Sequence, residues 1–182
     1  AKAKLPLRRS MLNRVRHTPV PQRIIRWACC VLWCMGTGLY AQPVTTLLAQ
    51  GDSLLKEEKP QRALEAFDKA IELDGSAGAY LGRAKAYYML DRMDRFLLDV
   101  ERALKLDSTS FGAHYHRALY AMRASDLDKA EYHAGKAIEY APADRAKGHA
   151  LVLRGEVRAE LSRTAQAIDD LERGLAMEGM SD

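Results

Sequence analysis

Ala70-Ile71-Glu72-Leu73-Asp74, Ala103-Leu104-Lys105-Leu106-Asp107 and Ala137-Ile138-Glu139-Tyr140-Ala141 are three versions of one short phrase. A weaker fourth is Gly174-Leu175-Ala176-Met177. From 70 to 103, 103 to 137 and 137 to 174 the steps are 33, 34 and 37 residues. Two further series run in parallel: Gly51, Ala84, Ala118 and Gly155, then Ala63, Phe96, Ala130 and Ala167. Self-similarity at such a period is the signature of a stacked repeat.

Each unit reads as two amphipathic helices joined by a short turn. Small residues at the crossing let two backbones approach, and larger apolar residues fill the seam between units. One helix pair cannot bury both its faces, so neighbours stack. The expected fold is all-α, a right-handed solenoid of antiparallel helix pairs. The helices are expected at 44–57, 61–73, 77–90, 93–106, 111–124, 127–140, 144–161 and 164–178, with repeats at about 44–76, 77–110, 111–144 and 148–181. Pro60 and Pro142 fall between helices or at a helix start, where a missing N–H costs least.

The composition agrees. Of 182 residues, 48% are hydrophobic and 29% charged, so neither wholesale disorder nor a multi-span membrane protein is expected. With 7% aromatics, 12 Gly and 6 Pro, a turn-rich sandwich is disfavoured. The net charge of +4 is unevenly spread. Residues 1–41 hold eight Lys/Arg and no acid, which leaves 20 Lys/Arg against 24 Asp/Glu in 42–182. An acidic body has no net pull toward phosphate backbones, so nucleic acid is not an expected partner.

Residues 1–41 read as a targeting segment. A basic stretch from Arg14 to Arg26 precedes the uncharged run Trp27 to Tyr40, and small Ala41 marks a cut before Gln42. This is the layout of a secretory signal peptide. The run is short of the ~20 residues that span a bilayer. Export to a periplasmic or extracellular compartment is the first expectation, and a membrane anchor through an uncleaved leader the second. Cys29, Cys30 and Cys34 all lie there, so 42–182 has no thiol for a disulfide, a metal or a nucleophile.

No catalytic motif is present, and neither a cofactor nor a metal site is expected. His114 and His116 are two apart and would point to different faces of a helix. Arg83, Arg117 and Arg154 recur just before the small slots, with Asp99, His133 and Asp170 each 16 residues on. We expect Arg83 or Arg117 to meet Asp99, and Arg154 to meet Asp170. Phe96, in a slot otherwise held by Ala, must spread its hairpin or turn aside. Arg158 stands where a large apolar residue belongs, which predicts a looser last seam. Three extra residues near Asp144 to Lys147 predict a first helix one turn longer in the last repeat.

The segment Gly51-x2-Leu54, with Ala63-x3-Phe67-x2-Ala70-Ile71-x-Leu73-Asp74, resembles the tetratricopeptide repeat family. Tyr80, Ala84, Tyr87, Val100, Ala103 and Leu106 continue the likeness, followed by Ala118, Ala130, Ala137 and Pro142. A degenerate fourth unit keeps Leu151, Gly155, Ala167 and Leu171. The resemblance covers about 44–180. It implies a non-catalytic protein interaction module or scaffold, not an enzyme, with a peptide or partner helix bound in a concave groove lined by first helices. Carried over residue by residue, the groove would comprise Leu48, Asp52, Leu55, Leu81, Lys85, Tyr88, Met89, Tyr115, Leu119, Met122, Arg123, Val152 and Glu156. One subtype grips a terminal carboxylate with Lys and Asn. Here its Asn slots hold Asp52, Lys85, Leu119 and Glu156, so that ligand is not implied. The alternative is a repeat region of a longer enzyme or sensor.

At the C-terminal end Ile168 is expected to pack inward, and part of the Leu171, Leu175 and Met177 set to face outward. That predicts self-association there or a natural protein longer than this chain.

Overall fold

The computed structural model describes residues 44–178, and the leader expectations therefore lie outside the described residues. Eight helices fill that span: α1 (44–56), α2 (Pro60–Leu73), α3 (Ala77–Met89), α4 (Met93–Leu106), α5 (Phe111–Arg123), α6 (Leu127–Glu139), α7 (Asp144–Glu160) and α8 (Thr164–Glu178). Every boundary falls within one residue of the expected one. The main packing partners run α1 with α2, α3 with α4, α5 with α6 and α7 with α8, and each second helix also packs on the next first helix. Among the described residues there is no strand.

The turns inside the pairs explain why the register is so regular. Glu58, Asp91, Ser125 and Ser162 occupy one repeat position, and all four have φ between 55° and 61°. Each ends its helix in the left-handed conformation. The next N–H then reaches back to the last turn: Lys59 to Leu54 O at 2.9 Å, Arg92 to Tyr87 O at 2.9 Å, Asp126 to Ala121 O at 2.9 Å and Arg163 to Arg158 O at 2.8 Å. These bonds satisfy carbonyls that a helix end otherwise orphans. None of the four turn residues is Gly, so each carries backbone strain.

The core is built from side chains seated on small ones. Phe67, fully buried, lies between Gly51 and Gly82. A Cβ on either glycine would fall 2.5 Å or 2.3 Å from the ring. Burying such a ring contributes about 1.5–3 kcal/mol. Gly155 repeats the device, with Leu171 Cγ at 2.8 Å from a hypothetical Cβ. Phe96 places a full ring in the slot that the other repeats give to Ala. It is fully buried with Ala84 and Val100, with Tyr87, Met93, Leu104 and Tyr120 around it.

Two expected ion pairs form inside the hairpins. Arg83 donates from Nε and Nη2 to both oxygens of Asp99 at 2.8 Å, and from Nη1 to Asp68 at 2.7 Å. Arg154 holds Asp170 in the same two-pronged way, at 2.7 and 2.6 Å. The Asp99 and Asp68 carboxylates raise the Arg83 pKa further above its ordinary value, against the effect of burial. Arg117 does not join them: its guanidinium lies 3.9 Å from Glu101, and Asp99 is already taken by Arg83.

The last repeat departs from expectation in two places. Arg158 does not leave its seam open. It donates to Asp170 and to Glu131 at 2.7 Å each, and Glu131 also receives Arg163. A charged network thus bridges α6, α7 and α8 where an apolar contact would stand. Ile168 is 50% exposed and does not pack inward, while Leu175 is 61% exposed as expected. Leu171 takes the inward place against Gly155 instead. The longer helix forms: α7 has 17 residues against 13 in α3 and in α5.

Four stability outcomes are expected, each read by urea unfolding. Asp170→Asn leaves two guanidiniums without their buried carboxylate and costs about 3 kcal/mol, whereas Asp169→Asn at the surface costs under about 1 kcal/mol. Ser125→Gly removes left-handed strain and stabilises by about 0.5–1 kcal/mol. Gly82→Ala forces the Phe67 ring to shift and costs about 1–3 kcal/mol. Gly135→Ala, where a Cβ meets nothing within 4 Å, stabilises by up to about 1 kcal/mol.

Candidate functional site

The thirteen expected groove residues lie on α1, α3, α5 and α7, and none is fully buried. Tyr88 and Met89 are the most open of the apolar ones, at 41% and 46% exposure. Asp52, Arg123 and Glu156 are exposed. Leu48, Leu55, Leu81, Lys85, Tyr115, Leu119, Met122 and Val152 are half-buried.

For the apolar and aromatic side chains half-burial has a cause. Leu48 and Leu55 pack against the cluster of Ala63, Phe67 and Ala86. Leu81 Cδ2 would meet a Cβ on Gly112 at 2.6 Å, so Leu81 presses on the start of the next first helix. Tyr115, Leu119 and Met122 close over Ala118, Ala134 and Leu153. Val152 lies against Gly174 of α8, with its Cγ2 at 2.8 Å from a hypothetical Cβ. These side chains therefore serve the seams between helices as well as facing outward.

A ladder of rings ties Tyr88 to Tyr115 through two residues not assigned to the groove. Phe111 stacks on Tyr115 at 5.8 Å, and Tyr115 meets His116 edge-on at 5.8 Å. His116 meets Phe96 edge-on at 5.8 Å, and Phe96 meets Tyr88 at 5.5 Å. Aromatic contacts of this kind are worth about 0.5–1.5 kcal/mol beyond their buried area. Phe96 stood out in the sequence as a misfit; nothing in the repeat pattern singles out His116.

The charges that the structure pairs across this region are mutually satisfied. Lys85 Nζ lies 3.6 Å from Asp52, and Arg123 Nη2 donates to Asp91 at 3.0 Å. Both pairs are exposed and contribute no more than about 1 kcal/mol each.

The histidines separate as their spacing predicts. His116 goes into the aromatic ladder, where burial, with a smaller push from Lys85, lowers its pKa to about 4. His114 turns to α6, with its Nδ1 3.0 Å from His133 Nδ1 and its Nε2 3.1 Å from the Ser108 carbonyl. That carbonyl can only accept, so His114 carries its proton on Nε2 and His133 Nδ1–H donates to His114 Nδ1. Burial first, then the neighbouring His114, Arg117 and Lys129, lower the His133 pKa to about 4. Among the described residues no three His, Cys, Asp or Glu side chains come together as a metal site.

Comparison with known proteins gives the same architecture. Residues 48–113 match the family model described as tetratricopeptide repeat. A curated relative is the tetratricopeptide repeat and J domain-containing co-chaperone DNJ1 of Cryptococcus neoformans var. grubii, 33% identical over 103 residues. The match takes in 54% of this chain and only 20% of that relative's length. The crystal structure of MamA superposes with a TM-score of 0.62 at 26% identity, over 79% of this chain and 84% of that one. The first repeat domain of Spaghetti (RPAP3), bound to the HSP90 peptide SRMEEVD, superposes with a TM-score of 0.59 at 20% identity, over 66% and 94%.

His116 and His133 set a pH dependence. The unfolded chain takes up these protons near pH 6.5 and the folded chain only near pH 4. As pH falls between those values the unfolded state binds more protons, so stability declines across the window. Thermal unfolding at steps from pH 7 to pH 4 should show that decline, and His116→Phe, which keeps the ladder's ring, should make it shallower while the His133 share remains. Residues 48–113 match the tetratricopeptide repeat model, and α1–α8 stack in antiparallel pairs as an all-helical solenoid like those of the structures it superposes on.

Proposed function

We propose that the chain is a non-catalytic protein interaction module, with the first-helix surface of α1, α3 and α5 holding a peptide or partner helix. The observation that carries this reading is the row of apolar and aromatic side chains that the stacked helices leave partly open, Tyr88 and Met89 above all. Rings and Met are favoured at recognition surfaces, because they bury much area while freezing few torsions. The peptide-bound RPAP3 domain supports a fold with room for an extended ligand. An acidic tail is not the ligand we propose. Asp52, Lys85, Leu119 and Glu156 hold the positions where carboxylate-gripping relatives place Asn, and Lys85 is already beside Asp52.

We further place the module in an exported compartment, on the acid-free basic and apolar layout of residues 14–41. Mass spectrometry of the mature chain tests this. A chain starting at Gln42 supports export with cleavage, and an intact leader in the membrane fraction supports an anchored adaptor. A source reading frame that continues past Asp182 into a catalytic or sensory domain would instead make the solenoid one part of a larger protein.

The groove is tested by photo-crosslinking in native cells. A crosslinker at Met89 should capture a partner that one at Leu98 does not. Tyr88→Ala with Tyr115→Ala should then weaken that partner by more than about 1 kcal/mol while helicity is retained. Unchanged affinity in the double variant would move the site off this surface.

A further inference from the structure

The two ends of the solenoid are not equivalent, and together they form one seam cut in half. Ile168 and Leu175 of α8 stand at the positions of Leu64 and Ile71 in α2, Leu97 and Leu104 in α4, and Glu131 and Ile138 in α6. All six of those earlier residues are half-buried, because the next repeat covers them. Leu64 packs where Phe67 meets Ala86 of α3, Ile71 packs where Ala70 meets Ala79 of α3, and Glu131 takes Arg158 from α7. Only on α8 are both positions exposed.

The opposite end presents the other half. Thr46, Ala49 and Ser53 of α1 stand where α3 has Ala79, Gly82 and Ala86, and where α7 has Ala150, Leu153 and Val157. Those two later triplets are buried under the preceding repeat. In α3 the triplet is entirely small, and Gly82 receives the Phe67 ring. The α1 triplet is one size larger at each position and carries two hydroxyls, but it too has no large side chain, and all three residues are exposed. An apolar face with the register of a donating second helix thus lies at one end, and a small-residue face with the register of a receiving first helix at the other.

We propose that α8 of one molecule docks on α1 of a second copy, continuing the repeat seam from chain to chain. Ile168 and Leu175 would then occupy the places of Leu64 and Ile71, against Thr46, Ala49 and Ser53 of the neighbour. The contact is head-to-tail, so each molecule keeps one free end, and the products are open chains or closed rings rather than a symmetric dimer.

Sedimentation velocity on the full chain tests this with two blocked variants. Ile168→Glu with Leu175→Glu spoils the donating end, and Ala49→Arg with Ser53→Arg spoils the receiving end. All four positions are exposed, and circular dichroism checks that each variant keeps the helicity of the unaltered chain. The unaltered chain should grow in mass with concentration, and either double variant alone should be monomeric, with association weakened about tenfold or more. An equimolar mixture of the two should form a one-to-one dimer and stop there, because only one competent pair of ends remains. Three results overturn the proposal: an unaltered chain that stays monomeric, association that survives in the Ala49/Ser53 variant, or a mixture that stays monomeric.

Discussion

The close crossing of the two helices in each pair sets the dimensions of everything else. It requires a residue with little or no side chain on the first helix, and Gly51, Ala84, Ala118 and Gly155 supply it. Where the slot is glycine, the partner side chain sits on the backbone itself: Phe67 over Gly51 and Leu171 over Gly155. The same crossing fixes the two buried ion pairs. Arg83 and Arg154 each come one residue before a small slot, and Asp99 and Asp170 each come three residues after the facing slot of the second helix. At that separation a guanidinium reaches both carboxylate oxygens, which is the geometry that compensates best for removing two charges from water.

The groove we propose would inherit its character from this packing. Leu48, Leu81, Leu119 and Met122 are half-buried seam residues, so the surface proposed for a partner is held by the contacts that hold the repeats together. Side chains already fixed by such contacts would leave little ordering cost to be met on binding. Tyr88 and Met89 are the exception: their greater exposure leaves them room to adjust.

Much of this was legible in the amino-acid order. The small-slot series places the helices to within a residue, and the 16-residue offset identifies two of the ion pairs. What was not legible depends on rotation about a helix axis. Ile168 and Leu171 are three apart on one apolar face, and the pattern alone does not say which of them the crossing swallows; the absence of a Cβ at Gly155 draws Leu171 in. Arg158 looked like a flaw because its partners, Glu131 and Asp170, come from two other helices, 27 residues before and 12 after. Arg117 fell to competition, since Arg83 had already claimed Asp99. The proposed groove residues rest on resemblance and register alone, whereas the ladder joining Tyr88 to Tyr115 runs through His116, which no repeat signal marks.

The longer seventh helix constrains how a chain of this kind can change length. Its start lies 11 residues before Gly155, against 7 before Ala118 in α5. The four-residue excess is close to one turn, and a whole turn returns the buried face to its original heading. An excess of one or two residues placed after the helix start would swing Leu151 and Leu153 by about 100° or 200° away from the core they fill. Insertions at this loop are therefore tolerated in quanta of three or four residues, and a sequence variant that breaks the quantum must unwind the first turn of α7 to absorb the remainder.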